Sequence, residues 1–262
     1  MSITRRAQQD LAEALYRAER ERKPIAPPTS QHPNLTSEEA YPIQLEIVRR
    51  KIKEGGRVVG KKIGLTSKAM QRMLGVDQPD YGHLFDTMAV KNGSQVPINQ
   101  LLQPKVEGEV AFVLREDLHG PEVTEQDVLS ATDYLVPAIE IIASRILDWK
   151  VKLPDTVADN ASSGMFVLGE TQASVDQVDL RLVGMVLEKN GEVELTGAGA
   201  AVLGNPARAV AWLANKLSEF EISLKAGEVI LSGALTAAFE VERGDVVKAD
   251  FDHLGSVSVA FS

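Results

Sequence analysis

The chain has 262 residues, 44% of them hydrophobic and 25% charged, a balance that suits a folded globular protein rather than a disordered one. It contains no cysteine, which excludes a disulfide framework, a thiolate zinc site, an iron–sulfur cluster and a cysteine nucleophile. Its net charge of −9 argues against nucleic acid as a partner, but not against a small anion, because a metal or a lysine can reverse the field locally.

In chain order, residues 4–22 predict a charged helix with Leu11, Leu15 and Ala18 on one side. The prolines between Pro24 and Pro33 end it. A second helix is expected from Thr36, whose spacing to Glu39 matches a capping box, as far as Gly55-Gly56, with a kink at Pro42. From Arg57 onward short apolar runs alternate with turn residues. Strands are expected at 58–65, 106–114, 134–143 and 165–168. Two more, at 183–189 and 192–196, flank Asn190-Gly191, a hairpin signal. Asn205-Pro206 starts a helix that runs to about Glu219, and strands follow at 228–232, 246–251 and 256–261. The fold class is therefore α+β, with a helical extension over 1–56 and a β-rich catalytic body over 57–262. No apolar run is long enough to span a bilayer, and the N-terminus lacks the apolar core of a secretory signal. A cytoplasmic protein with no membrane partner is expected.

Chemistry is suggested first by Val106-Glu107-Gly108-Glu109-Val110. Side chains alternate along a strand, so Glu107 and Glu109 share a face. Two buried carboxylates there repel each other and pay for desolvation, and a hard cation such as Mg²⁺ or Mn²⁺ would relieve both costs. Spacing alone describes a solvated edge strand at least as well. Glu140 lies in Tyr134-Leu-Val-Pro-Ala-Ile-Glu-Ile-Ile-Ala143, where a glutamate needs a partner: Arg145, a lysine, or the cation of Glu107 and Glu109. In Gly60-Lys61-Lys62-Ile63-Gly64, one lysine is expected to point inward and the other to solvent. An inward lysine beside a keto acid could stabilise an enolate or shuttle a proton, although two solvated lysines fit the pattern better. Asp77-Gln-Pro-Asp80-Tyr81-Gly82 has the composition of a turn, whose acids serve as caps, as a general base, or only as solvated charges. The loop Asp159–Gly164 offers Ser162 and Ser163 to a carboxylate, or is an ordinary turn. Thr196–Gly204 is glycine-rich without a phosphate-binding fingerprint, no GxSxG is present, and the four histidines show no ligand spacing.

Seven stretches in one order resemble the fumarylacetoacetate hydrolase superfamily, in its hydratase and decarboxylase branch. They are VVGKKIGLTSKAM, DQPDYGHLFDTM, QPKVEGEVAFVL, VPAIEIIASRILDWK, DTVADNASSG, GAGAAVLGNP and AGEVILSGAL, between residues 58 and 235. The resemblance implies a mixed β-sheet roll with a Mg²⁺ or Mn²⁺ ion on Glu107, Glu109 and Glu140. It implies Lys62 as the active-site lysine, Asp80 as an acid/base residue and Ser162 in the substrate pocket. The implied activity is hydration of 2-hydroxypenta-2,4-dienoate to 4-hydroxy-2-oxopentanoate in the catabolism of aromatic compounds. The rivals are decarboxylation of 4-oxalocrotonate and hydration of 2-oxohept-4-ene-1,7-dioate. An aliphatic residue replaces Asp80 in the decarboxylase pattern, whereas Leu235-Thr236-Ala237-Ala238 looks more like that pattern than like the hydratase one. The family also implies a homo-oligomer, and association with a sister decarboxylase or a downstream aldolase.

Overall fold

The computed structural model describes residues 3–262. Helices α1 (Arg5–Glu21), α2 (Pro28–Gln31) and α3 (Ser37–Lys53) come first. The capping box of α3 forms as expected: the Glu39 amide donates to Thr36 Oγ1, and the Thr36 amide donates to Glu39 Oε2. As expected, α3 is one helix with Pro42 inside it. Its buried face carries Tyr41, Ile43 and Ile47 into the main core, where they meet Leu11 and Leu15 of α1. Gln44, fully buried, ties α3 to the body by donating to the carbonyls of Tyr81 at 2.9 Å and Val157 at 2.6 Å.

The body then runs β1 (Val58–Gly64), α4 (Lys68–Leu74), β2 (Asp80–Phe85), β3 (Ala89–Val90), β4 (Gln95–Val96), β5 (Lys105–Leu114), α5 (Glu125–Ala131) and β6 (Thr132–Ile142). It continues with α6 (Leu153–Ala158), β7 (Ser163–Leu168), β8 (Gly184–Lys189), β9 (Glu192–Ala198), α7 (Pro206–Ser218), β10 (Val229–Ala234), β11 (Phe239–Glu240), β12 (Val246–Phe251) and β13 (Gly255–Phe261). Eight strands form one sheet in the order β2-β1-β10-β5-β6-β7-β3, with β11 pairing on β5, and five form a second in the order β4-β13-β12-β8-β9. Pairing is parallel for β1/β10, β3/β7 and β4/β13, and antiparallel elsewhere. The result is the α+β, mixed-sheet roll that was expected. At the Asn190-Gly191 hairpin both residues have positive φ, 57° and 84°, as a tight turn between twisted strands requires.

Gly108 shows how the sheets meet. A Cβ there would lie 2.2 Å from Met185 Sδ, so the second sheet presses on β5 where the side chain is missing. Strand alternation then turns Glu107 and Glu109 to the opposite face. That face also carries a smaller apolar cluster, with Ala111, Val136, Ala138, Phe166 and Leu231. Among the described residues, no helix is long and apolar enough to cross a membrane.

Candidate active site

In the antiparallel ladder of β5 and β6, Glu107 stands directly opposite Glu140, and Glu109 lies two residues further along the same face. Each of the three offers a carboxylate oxygen, and these oxygens lie within 4.8 Å of one another. β5 runs between β10 and β6, so the solvated-edge alternative is excluded. Glu109 and Glu140 are fully buried. Glu109 accepts a hydrogen bond from the amide of Gly233, at 2.7 Å to Oε2. Gly233 has φ of +107°, and a Cβ there would strike Thr66, so glycine is required to aim that amide. Among the described residues, Glu109 Oε1 and both Glu140 carboxylate oxygens find no hydrogen-bond donor.

Buried carboxylates with so few donors are costly to ionise, which favours their protonated forms. Burial pushes Glu107 up to about 7, the charge of Glu140 adds to the rise, and Lys62 opposes it. Burial drives Glu109 well above the ordinary carboxylate range, with Glu140 and Glu107 adding to the effect. Glu140 is raised by burial as well, against the pull of Lys62. An all-oxygen donor set of this charge, with open lone pairs, suits a hard divalent cation.

Lys62 is the inward lysine. Its Nζ lies 3.3 Å from Glu140 Oε2 and donates to the Ala161 carbonyl at 3.0 Å. Burial opposes its charge, but the surrounding Glu140, Asp80, Glu107 and Glu109 outweigh burial and raise its pKa, so it remains an ammonium. Lys61 departs from expectation: rather than facing solvent, it is 4% exposed and forms an ion pair with Glu228 at 2.6 Å. Asp80 also departs from the turn reading. It is the first residue of β2, opposite Gly64 of β1, and 4% exposed. Every residue of β2 is buried, so the inside–outside contrast that reveals a strand is absent there. Asp80 Oδ1 has no hydrogen-bond partner among the described residues. A Cβ on Gly64 would lie 2.2 Å from that oxygen and 3.2 Å from Lys62 Nζ, so the missing side chain leaves room for acid and lysine to share one space.

The third wall is the segment 159–163. Asn160, Ala161 and Ser162 all have left-handed backbone, with φ of 53°, 48° and 54°. The Asn160 side chain accepts from the His83 amide at 2.7 Å and donates to the His83 carbonyl at 2.9 Å, covering the free edge of β2. Arg145 braces the segment by donating to Asp159 Oδ1 and to the carbonyls of Asp159, Ala143 and Ser163. Arg145 is therefore the partner of Asp159, and Glu140 pairs with Lys62 instead. Ser162 is buried, with Oγ 3.4 Å from Asp159 Oδ2, and it lines the cleft.

The cleft has a volume of about 350 Å³. Lys62, Asp80, Glu107 and Ser162 lie along its polar side, while Met70, Ile142, Trp149 and Val151 give an apolar wall. Sequence reasoning missed Lys105, which lines the cleft and precedes Glu107 by two residues on the same face. The same period-two argument that joined Glu107 to Glu109 would have included it. His83 is buried on the other face of the sheet, its Nδ1 2.8 Å from Gln44 Oε1, and burial lowers its pKa to about 3, so it stays neutral.

The fumarylacetoacetate (FAA) hydrolase C-terminal family model matches residues 61–261. A 2-keto-4-pentenoate hydratase from Paraburkholderia xenovorans (strain LB400) is 49% identical over 259 residues, covering 99% of this chain and 96% of the relative. A 4-oxalocrotonate decarboxylase from Pseudomonas sp. (strain CF600) is 45% identical over 260 residues, with 99% and 98% covered. Among solved structures, a 4-oxalocrotonate decarboxylase from Pseudomonas putida G7, complexed with magnesium and adipate, superimposes with a TM-score of 0.97 at 44% identity, covering 100% of this chain and 99% of that one. On sequence and on architecture alike, this chain belongs to the fumarylacetoacetate hydrolase family.

Proposed function

We propose that this protein is a divalent-metal-dependent hydratase that adds water to 2-hydroxypenta-2,4-dienoate, giving 4-hydroxy-2-oxopentanoate. The observation that carries the reading is the buried partnerless carboxylate oxygen of Asp80, beside the Lys62 ammonium and the Glu107, Glu109 and Glu140 cluster. The identity to a named hydratase over nearly the full length supports it. Glu107, Glu109 and Glu140 would hold the ion, taken to be Mg²⁺ or Mn²⁺ because every donor is a hard oxygen. Held there, such an ion would supply Lewis-acid polarisation of the substrate's keto-acid end.

The protein's own groups handle the protons. Lys62 Nζ, held near Glu140 and bonded to the Ala161 carbonyl, lines the cleft and has N–H groups free for a substrate 2-oxygen. There it stabilises negative charge on that oxygen as the dienol loses its hydroxyl proton and C5 gains one. The product of this step is the conjugated 2-oxo-3-enoate. Asp80 Oδ1 then takes a proton from the attacking water as the oxygen bonds to C4, and a proton delivered to C3 completes the addition. Ser162 contributes to the polar wall against the substrate carboxylate, and the apolar wall excludes bulk water from the chain end. As in the family resemblance, we extend the reading to a homo-oligomer.

A second reading, decarboxylation of 4-oxalocrotonate, draws on the decarboxylase relatives and on Thr236, Ala237 and Ala238 at the cleft, part of the decarboxylase-like segment. Decarboxylation needs no base to direct water, so it leaves Asp80 without work. Assay of the purified protein with Mg²⁺ on 2-hydroxypenta-2,4-dienoate, 2-hydroxyhepta-2,4-diene-1,7-dioate and 4-oxalocrotonate separates the readings. Hydration of the first is expected; CO₂ release from the last with no hydration of the others would overturn the proposal.

A further inference from the structure

We propose that Lys105 is the residue that reads the far end of the substrate, engaging a second carboxylate on dicarboxylic 2-oxo acids, with Glu240 as the competing group that limits this. The inference rests on the functional reading above only in placing the 2-oxo acid end at the three glutamates.

The argument begins with the strand. Lys105, Glu107 and Glu109 are alternate residues of β5 and point to one face. Two residues of strand span roughly 6.7 Å. A ligand with its keto-acid end at Glu107 and Glu109, extending along β5 towards solvent, therefore brings its other end to Lys105. Exposure supports that direction: Glu109 is fully buried, Glu107 partly, and the Lys105 side chain is 26% exposed. Among the described residues lining the cleft, Lys62 and Lys105 are the only cations, and Lys62 is already engaged by Glu140 and the Ala161 carbonyl.

Lys105 is also held ready and lightly neutralised. Its Nζ lies 5.2 Å from the centre of the Trp149 ring, and the Trp149 indole is fixed by donating to the Gln103 carbonyl at 3.1 Å. Directly across the ladder stands Glu240 of β11, whose Oε1 is 3.6 Å from Lys105 Nζ. The Glu240 side chain is 80% exposed, so this is a rim pair of little strength that a ligand carboxylate can displace. A monocarboxylate leaves the pair intact and meets only the apolar wall. A dicarboxylate exchanges one exposed ion pair for a more enclosed one. The Glu240 pair thus limits what a diacid gains from Lys105 without barring it.

The test uses ligands that cannot be hydrated. Binding of 2-oxohexanoate and 2-oxohexanedioate, which differ only in the terminal carboxylate, is measured by titration calorimetry on the Mg²⁺-loaded protein. Lys105→Met is expected to weaken the dioate about tenfold and leave the monoacid within about twofold, and Glu240→Gln to strengthen the dioate alone by about two- to threefold. Equal weakening of both ligands by Lys105→Met would mean that the lysine reads the shared keto-acid end, and no change in either would mean that it reads nothing; each result overturns the proposal. Should Lys105→Met fail to fold, Glu240→Gln decides: unchanged dioate affinity overturns it. Because no turnover is needed, a protein that binds as expected yet hydrates nothing would refute the hydratase reading and leave this inference standing.

Discussion

Glu107 and Glu140 face each other across the β5/β6 ladder, like charges in directly opposed positions. Opposed like charges destabilise a sheet, more so where burial removes water. The fold therefore carries a local instability that a bound cation would remove.

That relationship has a pH signature. Folding raises the Glu107 pKa from 4.5 to about 7, so the metal-free folded state binds more protons than the unfolded one between those values. Stability of the metal-free protein then falls as pH rises through that window, and metal, which needs the ionised carboxylates, binds better over the same range. Thermal melts should show a Mg²⁺-induced rise in Tm that is small at pH 5 and large at pH 8. Glu107→Gln should raise the metal-free Tm at pH 8 by roughly 2–4 °C and have little effect at pH 5. A Mg²⁺ shift independent of pH would contradict this.

Asp80 and Glu109 should separate chemistry from metal binding. Asp80→Asn keeps the shape and removes the base, so kcat should drop by about 10²–10⁴ with Mg²⁺ affinity nearly unchanged. Glu109→Gln should cost metal affinity first, seen by calorimetry, with activity partly restored at high Mg²⁺. Loss of metal affinity in Asp80→Asn would assign that residue to the ion instead.

Gly64→Ala tests the shared space of Asp80 and Lys62. The added methyl would press on Asp80 Oδ1, displacing the acid from the lysine. A stability loss of about 1–3 kcal/mol is expected, together with a fall in kcat that exceeds the rise in KM. Unchanged kinetics would show that the approach of these residues is not used.

Arg145→Met leaves Asp159 as a buried, uncompensated carboxylate under the Asn160–Ser162 segment. Breaking such a pair from one side costs about 3–5 kcal/mol, which denaturant melts can measure. The double variant Arg145→Met/Asp159→Leu should recover part of that loss. No recovery would mean that the arginine's bonds to the Ala143 and Ser163 carbonyls dominate.

Much of this was legible in the sequence where a residue's surroundings differ from one face to the other. The strand at 246–251 and the capped helix at Thr36 carry such contrast, and they lie where expected. β2 does not: with both faces covered, Asp80 had the composition of a turn. The glutamates were visible as charges in apolar runs, yet no spacing rule could pair Glu140 with Lys62 rather than with Arg145, because β1 and β6 are brought together only by the sheet order. The choice of Lys62 over Lys61 came from the family resemblance alone, since both side chains are buried and each has its own acid. Lys105 was passed over because a charge at the start of a strand resembles an ordinary solvated end.

The Lys62 tether to Ala161 is made of main chain. A carbonyl oxygen cannot be deleted by a codon change, so the lysine keeps this anchor through any single substitution at 161 that preserves the backbone path. The vulnerable element is the left-handed path itself. A library randomised at 160–162 should therefore be filtered by backbone tolerance, with glycine and asparagine retaining the lysine's position and β-branched residues losing it, whatever their polarity.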